Sequence, residues 1–140
     1  MIVKMQTAFI NSPLGITKIV GDENGITEIS VTSEGVISEI IPTELQEAAT
    51  QLSDYFDGKR KDFNFKLNPK GTDFQQKVWQ ELLQIPFGKT ISYLDLSKKL
   101  GDVKAIRAVA SANGKNPLWI VVPCHRVIGT DGSLTGYAGG

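Results

Sequence analysis

The sequence is poor in the residues that build disulfides and metal centres. It contains one cysteine and one histidine among 140 residues. A single cysteine cannot form an internal disulfide, which suits a reducing compartment, so we expect a cytoplasmic protein. A structural zinc site usually takes four cysteine or histidine ligands, which this sequence cannot supply. We therefore predict no structural zinc site of this kind, and we expect the protein to use no metal and no other cofactor.

Long apolar segments and a net charge are also missing. No segment approaches the roughly 20 apolar residues that span a membrane, and we expect no membrane contact. Lysines and arginines number 15, as do the acids, so the net charge is zero. The charges are unevenly placed, however, because residues 1–71 carry a net −3 and residues 72–140 a net +3. A polyanion should therefore prefer the second half of the chain.

Residues 1–66 are predicted to form a small α/β domain. Turn sequences at residues 11–15 and 22–25 separate β-branched segments, a pattern typical of short antiparallel strands. Apolar residues then recur at helical spacing from Thr43 until Gly58. These signals predict a small antiparallel β-sheet followed by one helix.

Residues 67–140 are predicted to form a mostly helical domain, which makes the fold class α+β. Thr72 and Ser92 are suitable N-caps for two helices, and a third helix is predicted over about 103–113. The turn at Gly101 joins two short helices in the manner of a helix-turn-helix, with a winged-helix-like arrangement overall. Arg107 would lie on the outer face of its second helix. The first helix should bury one apolar face, made of Phe74, Val78, Trp79, Leu82 and Leu83.

Cys124 is the residue with the clearest chemical potential. A cysteine with an ordinary pKa of ~8.5 needs a neighbouring base or cation to become a thiolate near neutral pH, and His125 and Arg126 supply both. The apolar residues 118–122 predict a buried core strand that ends at Cys124. Adjacent side chains in a strand point to opposite sides, so His125 would need a bridging water or a turn to act on the thiol. Alternatively, Cys124 is only a small buried hydrophobe, with His125 and Arg126 at an exposed edge.

A longer pattern around this cysteine resembles the O6-alkylguanine-DNA alkyltransferases in order and spacing, over about residues 7–140. The Pro-Cys-His-Arg-Val segment at 123–127 is highly specific to that family. The other matching motifs, in chain order, are Gly71-Thr72-x-Phe74-Gln75-x-x-Val78-Trp79, Ile85-Pro86-Phe87-Gly88-x-Thr90-x-Ser92-Tyr93, Arg107-Ala108-Val109, Asn116-Pro117 and Gly136-Tyr137-x-Gly139-Gly140.

The resemblance implies catalytic roles for three residues. Cys124 would accept the alkyl group, and His125 would deprotonate the thiol through a water molecule. Tyr93 would assist the departing guanine by donating a proton near its N3 atom. In the family, a helix after the Gly-Gly pair carries a glutamate that orients the histidine, and this sequence ends at Gly140.

The resemblance also implies residues that bind DNA and the base. Arg107 would fill the gap left in the duplex by the flipped base, and Asn116 would organise the turn between the recognition helix and the active-site strand. The implied DNA-binding residues are Arg107, Ala108, Thr72, Gln75, Ser92, Asn116 and Arg126. The implied substrate pocket is lined by Tyr137, Ser133, Ala138 and Gly139.

The function implied by the resemblance is DNA repair by direct reversal of damage. The protein would act as a monomer on double-stranded DNA that carries O6-alkylguanine, with O4-alkylthymine as a further substrate. It would transfer the alkyl group irreversibly to Cys124, once per molecule. A non-enzymatic sensor that binds the lesion without transfer is the alternative, and a plain helix-turn-helix regulator is a third hypothesis.

Overall fold

The computed structural model describes residues 5–128, which divide into two units. One unit ends at Lys70 and also includes Pro117–Trp119, and the other comprises Gly71–Asn116 and continues from Ile120. Among the helices between residues 5 and 128, none combines the length and apolar character that a membrane crossing requires.

The first unit contains a three-stranded antiparallel sheet and one helix. The strands are β1 (Gln6–Ser12), β2 (Gly15–Asp22) and β3 (Gly25–Thr32), joined by the two predicted turns in the order β1-β2-β3. Helix α1 (Thr43–Phe56) packs on this sheet. Its buried side chains recur at helical spacing, as the sequence predicted, and include Leu45, Ala48, Ala49 and Leu52. The predicted α+β class is confirmed by this sheet and by the helices that follow it.

A short segment from later in the chain, Pro117–Trp119, also belongs to the first unit. The backbone N–H of Ile29 donates to the carbonyl of Pro117 at 2.8 Å, and that of Trp119 donates to the carbonyl of Ile29 at 3.1 Å. Leu118, between them, is fully buried. The rings of Trp119 and Phe56 lie 5.9 Å apart. These contacts fix the chain in the first unit directly before the segment that leads to Cys124.

As far as residue 128, the second unit contains three helices and two short strands, which are α2 (Asp73–Leu82), β4 (Ile91–Ser92), α3 (Tyr93–Lys99), α4 (Ile106–Gly114) and β5 (Val127–Ile128). The pair β4–β5 is parallel, with Ile91 opposite Val127 and Ser92 opposite Ile128. A single 3-10 turn, Val103–Ala105, runs directly into α4, and a second 3-10 turn spans Cys124–Arg126.

The predicted caps begin both of the first helices in this unit. Thr72 forms a capping box with Gln75, because the Thr72 hydroxyl accepts from the Gln75 N–H while the Gln75 side chain accepts from the Thr72 N–H. Ser92 accepts from the N–H of Asp95 at 3.0 Å. The apolar face of α2 is narrower than predicted, since Phe74 and Leu83 are 37% and 36% exposed.

The predicted core strand over residues 118–122 is wrong. Only Leu118 makes a β-bridge, with Ile29, and the chain then turns. Ile120 adopts a φ of 70°, which is incompatible with an extended strand. Cys124 therefore begins a 3-10 turn instead of ending a strand.

Candidate active site

The turn at Cys124 changes how its neighbours are arranged. The N–H of Cys124 donates to the carbonyl of Val122 at 2.8 Å, and that of Arg126 donates to the carbonyl of Pro123 at 3.0 Å. Successive side chains in a 3-10 turn are rotated by about 120° instead of the opposite directions of a strand. In a strand the two side chains would point to opposite sides, and the turn removes this obstacle to a proton transfer from Cys124 to His125. A turn was one of the two solutions that the sequence left open. Cys124 itself is 6% exposed.

Asn113 links two of the three predicted catalytic residues. Its side-chain Nδ2 donates to the Tyr93 hydroxyl at 3.2 Å and to the backbone carbonyl of Cys124 at 3.3 Å. Asn113 is fully buried, and Tyr93 is 5% exposed. Helix α3, helix α4 and the cysteine turn therefore converge on one buried polar group.

Tyr93 is held in its protonated form. Burial raises the pKa of its hydroxyl above the usual 10.0, while the hydrogen bond from Asn113 acts in the opposite direction and the nearby Cys124 adds to the rise. The phenol is thus neutral at physiological pH and retains a proton that it can donate. Its backbone is fixed by Ser97, whose hydroxyl donates to the Tyr93 carbonyl at 2.8 Å.

His125 is held in its neutral form. Burial lowers the pKa of the imidazole below 6.5, and the Arg126 cation lowers it further. A neutral imidazole can accept a proton from a thiol, which a protonated one cannot. Its Nδ1 atom is buried and makes no hydrogen bond to residues 5–128.

Arg126 has an intramolecular role that the sequence patterns did not indicate. Its Nη1 donates to the carbonyl of Ile85 at 2.7 Å, and its guanidinium lies 5.7 Å from the centre of the Phe87 ring. These contacts attach the cysteine turn to the segment that follows α2. A direct contact of Arg126 with DNA stays a prediction.

Asn116 lies where the resemblance implies an organising residue. Its Nδ2 donates to the carbonyl of Val122 at 2.7 Å. The side chain thereby ties the second residue after α4 to the backbone two residues before Cys124. The contact fits the implied structural role, although the segment that it holds is a turn and not the expected strand.

The remaining predicted DNA-binding residues lie at helix N-termini or on an exposed helix face. Arg107 and Ala108 are exposed on α4, opposite the buried Val109. Thr72 and Gln75 stand at the start of α2, and Ser92 stands at the start of α3, where each also serves as a capping residue. The predicted pocket residues lie outside the described part of the chain; they are Tyr137, Ser133, Ala138 and Gly139.

Asn113 was not among the predicted site residues. The only signal was a polar residue at helical spacing from Val109, on the inner face of an alanine-rich helix. Such a position shows that the side chain is buried and needs a partner, but it does not identify the partner.

Comparison with known proteins shows the family. The family model for the DNA binding domain of 6-O-methylguanine DNA methyltransferase matches residues 73–140. The family model for the ribonuclease-like domain of 6-O-methylguanine DNA methyltransferase matches residues 5–69. The constitutive methylated-DNA–protein-cysteine methyltransferase of Bacillus subtilis is 47% identical over 137 residues, covering 91% of this chain and 83% of its own. The Methanosarcina barkeri methyltransferase is 44% identical, with 94% and 87% coverage.

Solved structures agree with these matches. The Mycobacterium tuberculosis O6-methylguanine methyltransferase aligns with a TM-score of 0.85 at 40% identity, covering 98% of this chain and 86% of its own. The same organism's protein in complex with DNA aligns with a TM-score of 0.83 at 42% identity, covering 94% and 83%.

The chain belongs to the 6-O-methylguanine DNA methyltransferase family. The predicted enzyme class, methylated-DNA–protein-cysteine methyltransferase, is confirmed with it. At this level the activity is DNA repair by transfer of an alkyl group from DNA to a protein cysteine.

Proposed function

We propose that Cys124 receives the alkyl group and that the substrate is O6-alkylguanine, presented as a flipped-out base. The single observation that carries this proposal is the convergence of Tyr93, Asn113 and the Cys124 turn in one buried site. The chain contains one cysteine, so an enzyme of this class has one acceptor available. The alternative of Cys124 as a merely small buried hydrophobe leaves the neighbouring neutral His125 and protonated Tyr93 without a purpose.

The proposed reaction balances with the groups at this site. His125, through a water molecule, takes the thiol proton of Cys124, and the thiolate sulfur attacks the alkyl carbon. The carbon–sulfur bond forms as the carbon–O6 bond breaks, and its electron pair passes to the guanine. Tyr93 supplies the proton that neutralises the departing base near N3. A thioether is a very poor leaving group, so each molecule would react once.

Base flipping would bring the target carbon to the thiol, because the O6 substituent is inaccessible inside a duplex. Extrusion costs a few kcal/mol, and least for a damaged, poorly paired base. The exposed Arg107 on α4 would fill the resulting gap, with Ala108 beside it. Thr72, Gln75 and Ser92 stand at helix N-termini, where the helix dipole favours an anion such as a DNA phosphate.

Two finer statements belong to the same proposal. The protein would act as a monomer, and the site would accept O4-alkylthymine besides O6-alkylguanine. Sedimentation of the protein with a short duplex would show one protein per lesion, and a second duplex with O4-methylthymine would test the wider substrate range. The expected cytoplasmic location stays a prediction from cysteine usage.

Mass spectrometry of the protein after incubation with a duplex containing one O6-methylguanine tests the proposal directly. We expect the Cys124 peptide to gain one methyl group, saturating at one per protein. The Cys124→Ser variant, which keeps a small polar side chain, should bind the same duplex without gaining a methyl group. An unmodified Cys124 peptide in a folded, duplex-bound wild type would contradict transfer and leave a lesion-binding sensor as the function.

A further inference from the structure

The buried side-chain amide of Asn113 makes two hydrogen bonds, and the direction of one of them fixes the direction of the other. Its Nδ2 carries two protons, and the two acceptors are the Tyr93 hydroxyl and the Cys124 carbonyl. A carbonyl oxygen can only accept, so the contact with Cys124 requires the nitrogen of the amide on that side. Rotating the amide would place Oδ1 against this carbonyl, which is repulsive. The orientation of Asn113 as a donor toward Tyr93 therefore follows from its contact with the cysteine turn.

The direction of the hydrogen bond decides what Tyr93 can do. Because its oxygen accepts from Asn113, the Tyr93 hydroxyl does not donate its own proton to this neighbour. The proton remains available for another acceptor. Donation by Asn113 also stabilises the negative charge that develops on the phenol oxygen as the proton leaves.

A purely structural residue would not need an amide at this position. The Oδ1 atom of Asn113 is buried and has no hydrogen-bond partner among residues 5–128, although the side chain is completely inaccessible. An unsatisfied buried acceptor is destabilising, and an aliphatic side chain of similar volume would avoid that cost. The two donated hydrogen bonds are the feature that distinguishes asparagine from such a residue.

We propose that Asn113 is a positioning residue that directs the Tyr93 proton toward the departing base and couples Tyr93 to the Cys124 turn. This inference rests on the proposed function, since it assumes that Tyr93 donates a proton during transfer. Asn113 itself touches neither the substrate nor the sulfur in this scheme. It acts through the orientation and acidity of the phenol.

The test compares two alkylating agents with the Asn113→Leu variant, which preserves volume and removes both donors. Transfer from an O6-methylguanine duplex needs a proton for the leaving base, whereas alkylation of Cys124 by iodoacetamide expels iodide and needs none. We expect the variant to react with the duplex roughly tenfold more slowly, the effect of losing one hydrogen bond to a developing charge. Its rate with iodoacetamide should stay within about twofold of the wild type.

Two further measurements separate positioning from a general structural role. In a Tyr93→Phe background, Asn113→Leu should add nothing to the loss in rate, because it acts through the missing hydroxyl. Ultraviolet titration, with Tyr93→Phe identifying the relevant tyrosine, should show a higher Tyr93 pKa in the leucine variant than in the wild type. If the leucine variant fails to fold, Asn113→Ser, which retains one donor, replaces it and should show the same selectivity with a smaller loss.

The outcomes distinguish this inference from the proposed function. Equal losses with the duplex and with iodoacetamide, or additive losses in the Tyr93→Phe background, would overturn the positioning role. An unchanged rate of transfer in the variant would do the same while leaving Cys124 as the acceptor. If the wild type itself transfers no methyl group to Cys124, the proposed function fails, and the inference fails with it.

Discussion

The Asn116 side chain donates a 2.7 Å hydrogen bond to the carbonyl of Val122, the same oxygen that accepts from the Cys124 N–H at 2.8 Å. Both lone pairs of this carbonyl are thus engaged, one by a side chain and one by the reactive turn. We predict that Asn116→Ala destabilises the protein by about 1–3 kcal/mol, the usual result of removing one partner of a part-buried hydrogen bond. Because the turn loosens, transfer to Cys124 should also slow. Urea unfolding and the rate of methyl transfer measure the two effects.

The Asn116→Asp variant sharpens this test because it preserves volume and replaces the donor by an acceptor. It should be more harmful than Asn116→Ala at neutral pH, since a carboxylate would repel the Val122 carbonyl. Lys115→Ala, at the neighbouring exposed position, is the control and should change the free energy of unfolding by less than about 0.5 kcal/mol. A loss of stability in Asn116→Ala no larger than that in Lys115→Ala would mean that the hydrogen bond contributes nothing.

Arg107 lies on the exposed face of α4, where an inserted side chain could replace a flipped base. Replacing it with alanine should weaken methyl transfer in a duplex more than in a single strand, because only the duplex leaves a gap to be filled. A difference of about tenfold between the two substrates corresponds to one stacking contact of about 1–2 kcal/mol. The measurement is the rate of transfer from O6-methylguanine in each context.

Lys104→Ala is a suitable control for Arg107→Ala. It removes a positive charge from an exposed position only three residues away. Loss of a phosphate contact should weaken binding and make it less dependent on salt, without the selective effect on duplex repair. Equal losses for Arg107→Ala with duplex and single strand would exclude insertion into the helix.

The lowered pKa of His125 predicts how stability depends on pH. Below pH 6.5 the histidine of the unfolded chain takes up a proton, while the buried imidazole of the folded protein resists it. The unfolded state then binds more protons, so this residue makes the protein less stable as pH falls from 6.5 toward the folded pKa. The free energy of unfolding of His125→Gln should depend less steeply on pH in this range. Parallel slopes would contradict the lowered pKa.

The cation of Arg126 should also affect catalysis through the same histidine. Replacing it with glutamine removes the second cause of the lowered pKa of His125. The loss of transfer activity at acid pH should therefore begin at a higher pH in Arg126→Gln. Lys77→Gln, on the exposed side of α2, removes a charge elsewhere and should leave the acid limb unchanged. An acid limb that does not move in Arg126→Gln would show that its contacts with Ile85 and Phe87 are its main role.

Local signals in the sequence were sufficient for the elements that depend on local chemistry. Thr72 and Ser92 begin helices because their hydroxyls satisfy nearby N–H groups, and this can be inferred from spacing alone. The three-stranded meander follows from its turns. Cys124 and His125 were candidates from the residues alone, and the resemblance to a known family added Tyr93. The structure brings Tyr93 and the Cys124 turn to the same buried amide.

Contacts between distant parts of the chain explain the features that could not be predicted. The apolar residues 118–122 favoured a strand, but only the first of them, Leu118, makes a β-bridge, with Ile29. The resemblance implied a DNA contact for Arg126, whereas its partner within the chain, the carbonyl of Ile85, lies 41 residues away and could not be inferred from nearby residues. Asn113 likewise depends on Tyr93, 20 residues earlier in the chain. No local periodicity encodes these pairings.

Ile120 offers a test of whether strain is stored beside the reactive turn. It is the only non-glycine residue with a positive φ between residues 5 and 128, and a β-branched side chain makes that conformation costly by about 1–3 kcal/mol. Ile120→Gly should relieve this strain, whereas Val121→Gly at the next, buried position relieves none. We therefore expect the Ile120 variant to be more stable than the Val121 variant by at least about 1 kcal/mol in urea unfolding.

The same pair of variants connects the strain to function. Ile120 is four residues before Cys124, and its left-handed backbone lies in the turn that follows Leu118. Glycine can adopt this conformation but also many others, so the approach to Cys124 should become less ordered. Methyl transfer by Ile120→Gly should therefore slow even though the variant retains most of its stability. A variant that loses as much stability as Val121→Gly would show that the Ile120 side chain contributes through packing, and that its backbone conformation costs little.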